Sequence, residues 1–386
     1  MDAIDDKKEK IHRLNILIMP SWYKGYADKN VTAGIFHYEQ AVDLQKYCNV
    51  VLYYPFDQSI DEEWMVHEER GVLTYRSKFR RNERLRNRVR IFKTFKKIIE
   101  AFHPDIIFAH VANEVGKYAA FLSGLYHIPL VLMEHSSTEV SLADKTGYFL
   151  SKYVYERCDY IACCSENLRS NLQEFFPKLQ FHVVYNGIQP ASIIQEPYTN
   201  YRIDKKVNII IVGLFYSLEI KGYQFLLPAM KKILEDGFQA VLHIVGEGEY
   251  REYFMEMTRE LGIEEDCIFY GDCSREKVYT LVSQMDFFVS SSILECSGVS
   301  VQEAMLLGKP VLVTKSGGAN SLVTEDTAII VDKGSTQALV DGLKEMIRRY
   351  SEFDAEKIKS YAENKFEISH ISRQYVQIFH DVLAAK

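Results

Sequence analysis

Short, unbroken apolar runs recur along the chain, each closed by a polar loop and most followed by a stretch of helical period. In the first half they are LNILIMP (Leu14–Pro20), VVLYYP (Val50–Pro55), GVLTYR (Gly71–Arg76), PDIIFAH (Pro104–His110), IPLVLMEHSS (Ile128–Ser137), CDYIACC (Cys158–Cys164) and FHVVYNGI (Phe181–Ile188). In the second half they are VNIIIVG (Val207–Gly213), AVLHIVG (Ala240–Gly246), CIFYGD (Cys267–Asp272), MDFFVSSS (Met285–Ser292), KPVLVT (Lys309–Thr314) and AIIV (Ala328–Val331). Runs of this length without polar alternation suit strands covered on both faces. Helical stretches such as Ile35–Tyr47 and Val115–His127 fall between them, so the pattern predicts parallel sheets with helices on either side. The segment Gln189–Lys205, rich in Pro, Ser, Thr and Asn, reads as a linker between two such halves. A final helix carries Ile371, Tyr375, Ile378, Phe379 and Val382 on one stripe.

A length of 386 residues suits two domains. The division expected is residues 1–190, then 191–368, then a terminal helix over 369–386. The net charge of −7 argues against a general nucleic-acid binder. None of the seven cysteines stands in a C-x-x-C pair, so no metal site is read from them, and each suits a small core residue. The charged start MDAIDDKKEKIHR lacks the apolar centre of a signal peptide, and no apolar run is long enough to span a bilayer. The expectation is a cytoplasmic protein with reduced thiols.

One stretch breaks the acidic balance. Lys78–Lys97 holds ten basic residues and one acid. Leu85, Val89 and Phe92 recur there at helical spacing, with Ile91, Phe95 and Ile98 beside them. Such a helix suits an anionic membrane surface on the inner face of the cell membrane, or phosphorylated acceptors. It equally suits a solvated basic face on a helix packed against a sheet. On the first reading, neutralising Arg84, Arg86, Arg88 and Arg90 reduces binding to anionic vesicles.

Candidate chemistry concentrates in Ser291–Gly318, SSILECSGVSVQEAMLLGKPVLVTKSGG. A loop enters a helix there, and the helix's first amides, near Ser297, Gly298 and Val299, lack intrahelical partners and suit a phosphate. Glu295 precedes that helix and Glu303 lies about two turns along it. Were the span wholly helical, the two carboxylates would stand roughly 12 Å apart. That is the scale of a nucleotide sugar, with one acid on the sugar hydroxyls and the other on the ribose. The bland alternative is two solvated acids on a plain helix. Gly34 lies at the start of a helix after the first strand, where backbone can approach a ligand or simply turn. His135 lies at the carboxyl tip of a strand, a ligand-binding position in open α/β sheets. Gly246-Glu247-Gly248 lacks the third glycine of a dinucleotide fingerprint.

The block MDFFVSSS, Glu295, Ser297-Gly298, EAM-x-x-G-K-P-V-L-V-T-x-x-G-G resembles the donor-binding block of the retaining glycosyltransferases of family 4. The resemblance covers most of the chain and is strongest over Val207–Val340. Val-Gly-x-Gly at Gly246, Gly213 and Lys221-Gly222 belong to it, as do Asn-Gly before the linker and Gly34-Ile35-Phe36. It implies the GT-B architecture: two Rossmann-like domains facing a central cleft, with the last helix crossing back to the first domain.

The activity it implies is transfer of a sugar from a nucleotide-diphosphate sugar to a hydroxyl of a glycan or lipid-linked acceptor. Anomeric configuration is kept, and neither a metal nor a cofactor is needed. By analogy, the setting is bacterial capsule or lipopolysaccharide assembly. Lys221 is then assigned to the leaving diphosphate, Glu295 to the donor sugar and His135 to its reacting region. Glu303 falls to the ribose, Cys273 to the base, and Gly34, Gly213, Gly246, Ser297, Gly298 and Val299 to the rest of the donor. Leu214 departs from the pattern, standing where the family has arginine, so one cation serves in place of two. Three other classes remain open beside this reading. They are a nucleotide-sugar-binding protein without catalysis, a nucleotide-sugar epimerase, and an oxidoreductase, which would need the missing fingerprint glycine.

Overall fold

The computed structural model describes residues 13–27, 34–69, 71–189 and 199–386. The first sheet contains β1 (Asn15–Met19), β2 (Asn49–Asp57), β3 (Trp64–Glu69), β4 (Val72–Lys78), β5 (Ile106–His110), β6 (Leu130–Glu134), β7 (Tyr160–Cys163) and β8 (His182–Val183). Its strand order is β3-β4-β2-β1-β5-β6-β7-β8. The second contains β9 (Val207–Val212), β10 (Ala240–Val245), β11 (Cys267–Phe269), β12 (Phe287–Ser290), β13 (Val311–Thr314) and β14 (Ala328–Val331), in the order β11-β10-β9-β12-β13-β14. Every pairing in the second sheet is parallel. By compactness the chain forms one unit of residues 1–133, 149–161 and 372–386, and another of 134–148 and 162–371.

Two-sided burial explains the unbroken apolar strands. In β9, Ile209 and Ile211 face one core with α7 (Tyr223–Glu235), α8 (Arg251–Leu261) and α11 (Thr336–Arg349). Ile210 faces the other, with α10 (Val299–Leu306) and α12 (Ala355–Phe366). Phe287 and Val289 divide from Phe288 in the same way along β12. Each such side chain contributes about 1.5–3 kcal/mol on burial, and the polar residues within this sheet, Asn208 and His243, are tolerated because they bond each other.

The first unit departs from the expected all-parallel pattern at one edge. Strand β3 pairs antiparallel with β4. Its sequence WMVHEE is half polar because this edge is largely uncovered, so it does not read as a buried run. The basic helix also differs from expectation. Lys78 closes β4, and α2 runs Arg84–Phe102. Its sheet-facing side is Asn87, Arg90, Ile91, Thr94, Phe95 and Ile98, whereas Leu85 and Val89 are exposed among the arginines. Arg90 does not belong to the outward basic face. It is buried and bonds Glu63 at 2.7 Å and Glu83 at 2.6 Å, so its charge is spent within the fold. At the C-terminus, α13 (Ile368–Ala384) lays Tyr375 and Phe379 against Phe108 of β5, with ring centroids 4.6 and 5.6 Å apart, as expected of the last helix. The expected linker lies partly outside the described residues.

Candidate functional site at the carboxyl edge of the second sheet

In the second sheet β9 lies beside β12, and the chain reverses its direction of winding between them. Such a switch point opens a crevice at the carboxyl ends of the two strands. The loop after β9 carries Gly213–Gly222, and the loop after β12 carries Ser291–Gly298. The two are fastened together by the Ile293 amide on the Ile220 carbonyl (2.8 Å) and the Ser291 hydroxyl on the Lys221 carbonyl (2.8 Å).

Gly222 permits that closeness. It caps α7 at φ 71°, and a Cβ there would lie 1.9 Å from the Ser291 carbonyl oxygen. Gly222→Ala is therefore expected to push the loops apart and to destabilise the protein by about 1–3 kcal/mol in urea unfolding. Ligand binding at this edge should fall with it.

Lys221 and Glu295 meet across this seam, Nζ to Oε2 at 2.7 Å, with the Ser292 hydroxyl 3.3 Å from the same oxygen. Both side chains are partly exposed. Glu295 is held by its backbone, which bridges to Gly317 and donates to the Ser316 carbonyl at 3.0 Å. The span from Glu295 to Glu303 is thus not one helix. The chain turns at Gly298, whose φ of 73° places it as the cap, and α10 begins at Val299. The first helical amide bonds come from Val301 and Gln302 to the Gly298 carbonyl. The amides ahead of them, at Val299 and Ser300, face the helix mouth. Ser297, which is buried, accepts a 2.7 Å bond from Asn186.

At the other end of the site Glu303 receives Arg275 at 2.9 Å and lies 3.4 Å from the Tyr279 hydroxyl. Arg275 and Tyr279 sit one turn apart on α9 (Arg275–Gln284), and the guanidinium also bonds the tyrosine oxygen at 2.8 Å. Both residues lie outside the Ser291–Gly318 block and carry no motif of their own. The signal was available in the i, i+4 spacing of a cation and a tyrosine at a helix start capped by Ser274.

The glycines form a continuous backbone floor. The Gly246 amide bonds the Gly271 carbonyl at 3.0 Å, and a Cβ on Gly246 would lie 2.0 Å from the Gly213 oxygen. Gly213 in turn lies against the stem of Lys221. Cys273 is half-buried just beyond Gly271, its thiol 3.8 Å from the Tyr270 carbonyl. Leu214 is exposed at the position of the missing arginine.

His135 follows β6. Its amide and that of Ser136 donate to the buried Glu134 carboxylate at 3.0 and 2.9 Å. Glu134 belongs to the surroundings of Cys296, whose thiol is pushed well up by the hydrogen bond with Cys164 and by burial. The Ser165 hydroxyl bonds the Cys296 carbonyl at 2.7 Å. Ser165 and Asn186 therefore brace the loop that carries Glu295. Gly34 belongs to the first unit, where it caps α1 (Ile35–Leu44) at φ 67° against the Trp22 carbonyl, so its glycine character has a local steric cause.

Burial holds the imidazole of His135 down at about 4, so it is neutral at pH 7. His243, buried between Tyr270 and Asn208, is held down to about 4 for the same reason. Below pH 6.5 the unfolded chain takes up these two protons and the native state does not. Stability present above that pH should therefore fall as pH drops toward 4. Urea midpoints at pH 7.5 and 5.5 check this, and His243→Gln should shrink the difference.

Two parallel-sheet α/β units, the second with its ligand-binding edge at a switch point, define a GT-B fold. Comparison agrees. Over 95% of this chain and 99% of the other, the structure matches the Anabaena HepE protein solved in complex with UDP and glucose, at a TM-score of 0.73 and 17% identity. The family profile "Glycosyl transferases group 1" matches residues 199–365, and "Glycosyltransferase Family 4" matches residues 39–192. The two profiles together take in most of the chain, which is a group 1, family 4-like glycosyltransferase. It is 27% identical over 361 residues to an uncharacterized glycosyltransferase of Methanocaldococcus jannaschii, covering 92% of this chain and 93% of that protein. It is 23% identical over 286 residues to a lipopolysaccharide core biosynthesis glycosyltransferase of Rhizobium meliloti, covering 73% of this chain and 76% of that one.

Proposed function

We propose that the protein transfers a sugar from a nucleoside-diphosphate sugar to a hydroxyl of a glycan or lipid-linked acceptor, with retention at the anomeric carbon and without a metal. The observation that carries this is the Lys221–Glu295 pair at the mouth of α10, with Glu303 held by Arg275 further along. The donor's diphosphate lies against Lys221 and the amides of Val299 and Ser300. An ion pair as exposed as Lys221–Glu295 is worth about 0–1 kcal/mol. A charge-assisted bond to a diphosphate is worth roughly 1.5–3 kcal/mol. The donor therefore displaces Glu295 from Lys221, and the freed carboxylate takes the sugar hydroxyls.

As the anomeric C–O bond breaks, negative charge grows on the leaving phosphate, and Lys221 with the helix amides stabilises it. That supply of positive charge stands where other transferases use a cation. Glu303 accepts the ribose hydroxyls, and neutral His135 hydrogen-bonds near the reacting carbon. Gly213, Gly246, Ser297 and Gly298 let backbone approach the donor, with Cys273 beside the base and Gly34 at the edge of the first sheet.

The residue ranges proposed for the domains are 1–190 and 191–368, with 369–386 returning to the first. The exposed basic face of α2 lies on the inner, anionic face of the cell membrane, and the setting is bacterial surface polysaccharide assembly. Kinship with the Rhizobium lipopolysaccharide enzyme supports that setting. Among the described residues no helix is long and apolar enough to cross a membrane, so contact would be peripheral.

A thermal-shift screen of UDP-, GDP- and ADP-sugars, followed by NMR of the anomeric proton of the product, tests the proposal. One donor should raise the melting temperature, and the product should keep the donor's configuration. Stabilisation by none of them, or an inverted product, overturns it.

A further inference from the structure

We propose that a groove between α2, α3 (Lys117–Tyr126) and α5 (Lys145–Tyr155) is a discrete site for one anionic phospholipid, with its phosphate between Arg88 and Lys117 and its apolar stem on Phe92 and Phe121. This rests on the membrane-surface reading of α2 and specifies a ligand for it.

The groove measures about 320 Å³ and is lined by Arg88, Phe92, Lys117, Tyr118, Phe121 and Tyr153. Phe92 and Phe121 meet edge to face, ring centroids 5.2 Å apart, and form an apolar wall. That wall continues outward. On α2, Leu85 and Val89 stand one turn before Arg88 and Phe92, and Leu85 is 77% exposed. On α3, Leu125 stands one turn beyond Phe121, and both are about half exposed. On α5, Phe149 stands one turn before Tyr153 and is exposed. Three helices thus direct uncovered apolar side chains outward around one basic groove.

Charge supplies the second argument. Arg86 pairs with Glu83, Arg90 with Glu63 and Glu83, and Lys96 with Glu100, while Lys97 lies over the Trp64 ring. Among the described residues Arg88 and Lys117 form no ion pair. Lys117 is half-buried beside a second cation. Burial holds its pKa down, Glu114 offsets part of that, and Arg88 adds a smaller push downward. A phosphate between the two cations relieves that repulsion and meets both as a charge-assisted acceptor. A phosphosugar or an acidic peptide would satisfy the cations but leave the apolar rim in water. A lipid satisfies both.

The test uses the full chain and monomeric dihexanoyl phosphatidylglycerol, titrated by calorimetry, beside sedimentation with phosphatidylcholine vesicles that hold or lack phosphatidylglycerol. Wild type should bind the short lipid. Arg88→Ala/Lys117→Ala should lose about tenfold or more in affinity. Phe121→Ala should lose several-fold, and Lys93→Ala/Lys96→Ala should be close to wild type. Glycerol phosphate should not compete. If wild type sediments with anionic vesicles but ignores the short lipid, the groove is overturned while the membrane reading of α2 stands. Competition by glycerol phosphate at equal strength would make the groove a simple anion site and overturn the lipid assignment. If wild type binds the short lipid and fails to sediment, the groove stands and the membrane reading falls.

Discussion

Lys221→Ala should lower kcat by about 10²- to 10³-fold at saturating donor, the usual cost of removing one group aimed at charge that develops in the transition state. Leu214 makes the expectation sharper. With an exposed leucine at the family's arginine position, the loop after β9 offers Lys221 and no second cation to the diphosphate. Glu295 changes partners as well, since it loses its 2.7 Å bond in the empty site. Glu295→Gln separates the two effects. It frees Lys221 for the diphosphate, so nucleoside-diphosphate affinity should hold or rise slightly while turnover falls. Steady-state kinetics and titration of the free diphosphate on both variants check this. A kcat for Lys221→Ala within threefold of wild type would remove Lys221 from the mechanism.

Glu303→Ala should weaken nucleoside-diphosphate binding by roughly 10- to 100-fold, the worth of a charged hydrogen bond of about 1.5–3 kcal/mol. Its neighbours make the reading specific. Arg275 and Tyr279 hold the carboxylate in place, so a change at Glu303 could act by releasing Arg275. A 2′,3′-dideoxy nucleotide distinguishes these outcomes. If Glu303 meets the ribose, the loss on removing the hydroxyls and the loss on removing the carboxylate do not add. Full additivity would show that Glu303 serves only to hold Arg275.

The carboxyl-edge loops were legible in the sequence because one contiguous block carries them. The Gly298 turn, the start of α10 and the two carboxylates fall within Ser291–Gly318, and the strands on either side are unbroken apolar runs. The partners of those carboxylates were less legible. Lys221 is 74 positions from Glu295, and Arg275 is 28 from Glu303. Both pairings exist only because β9 and β12 lie side by side and α9 packs near α10. Arg90 shows the opposite failure. By sequence it is one more arginine in a basic run, yet it faces the sheet and is neutralised by Glu63 and Glu83. Strand β3 escaped because an edge strand keeps its polar residues, and α12 because its few buried positions, Ile358, Ala362 and Phe366, are thinly spread.

The ownership of α13 bears on how the polypeptide is made. Residues 372–386 belong to the first compact unit, where Tyr375 and Phe379 cover Phe108. A nascent chain emerging from the ribosome would ordinarily settle its leading domain first. Here that domain waits with part of its interior open until residues 372–386 have been made, whereas residues 199–371 can already have assembled. Deleting residues 372–386 would therefore injure the unit built from the first 133 residues and leave the stretch just before the deletion comparatively intact.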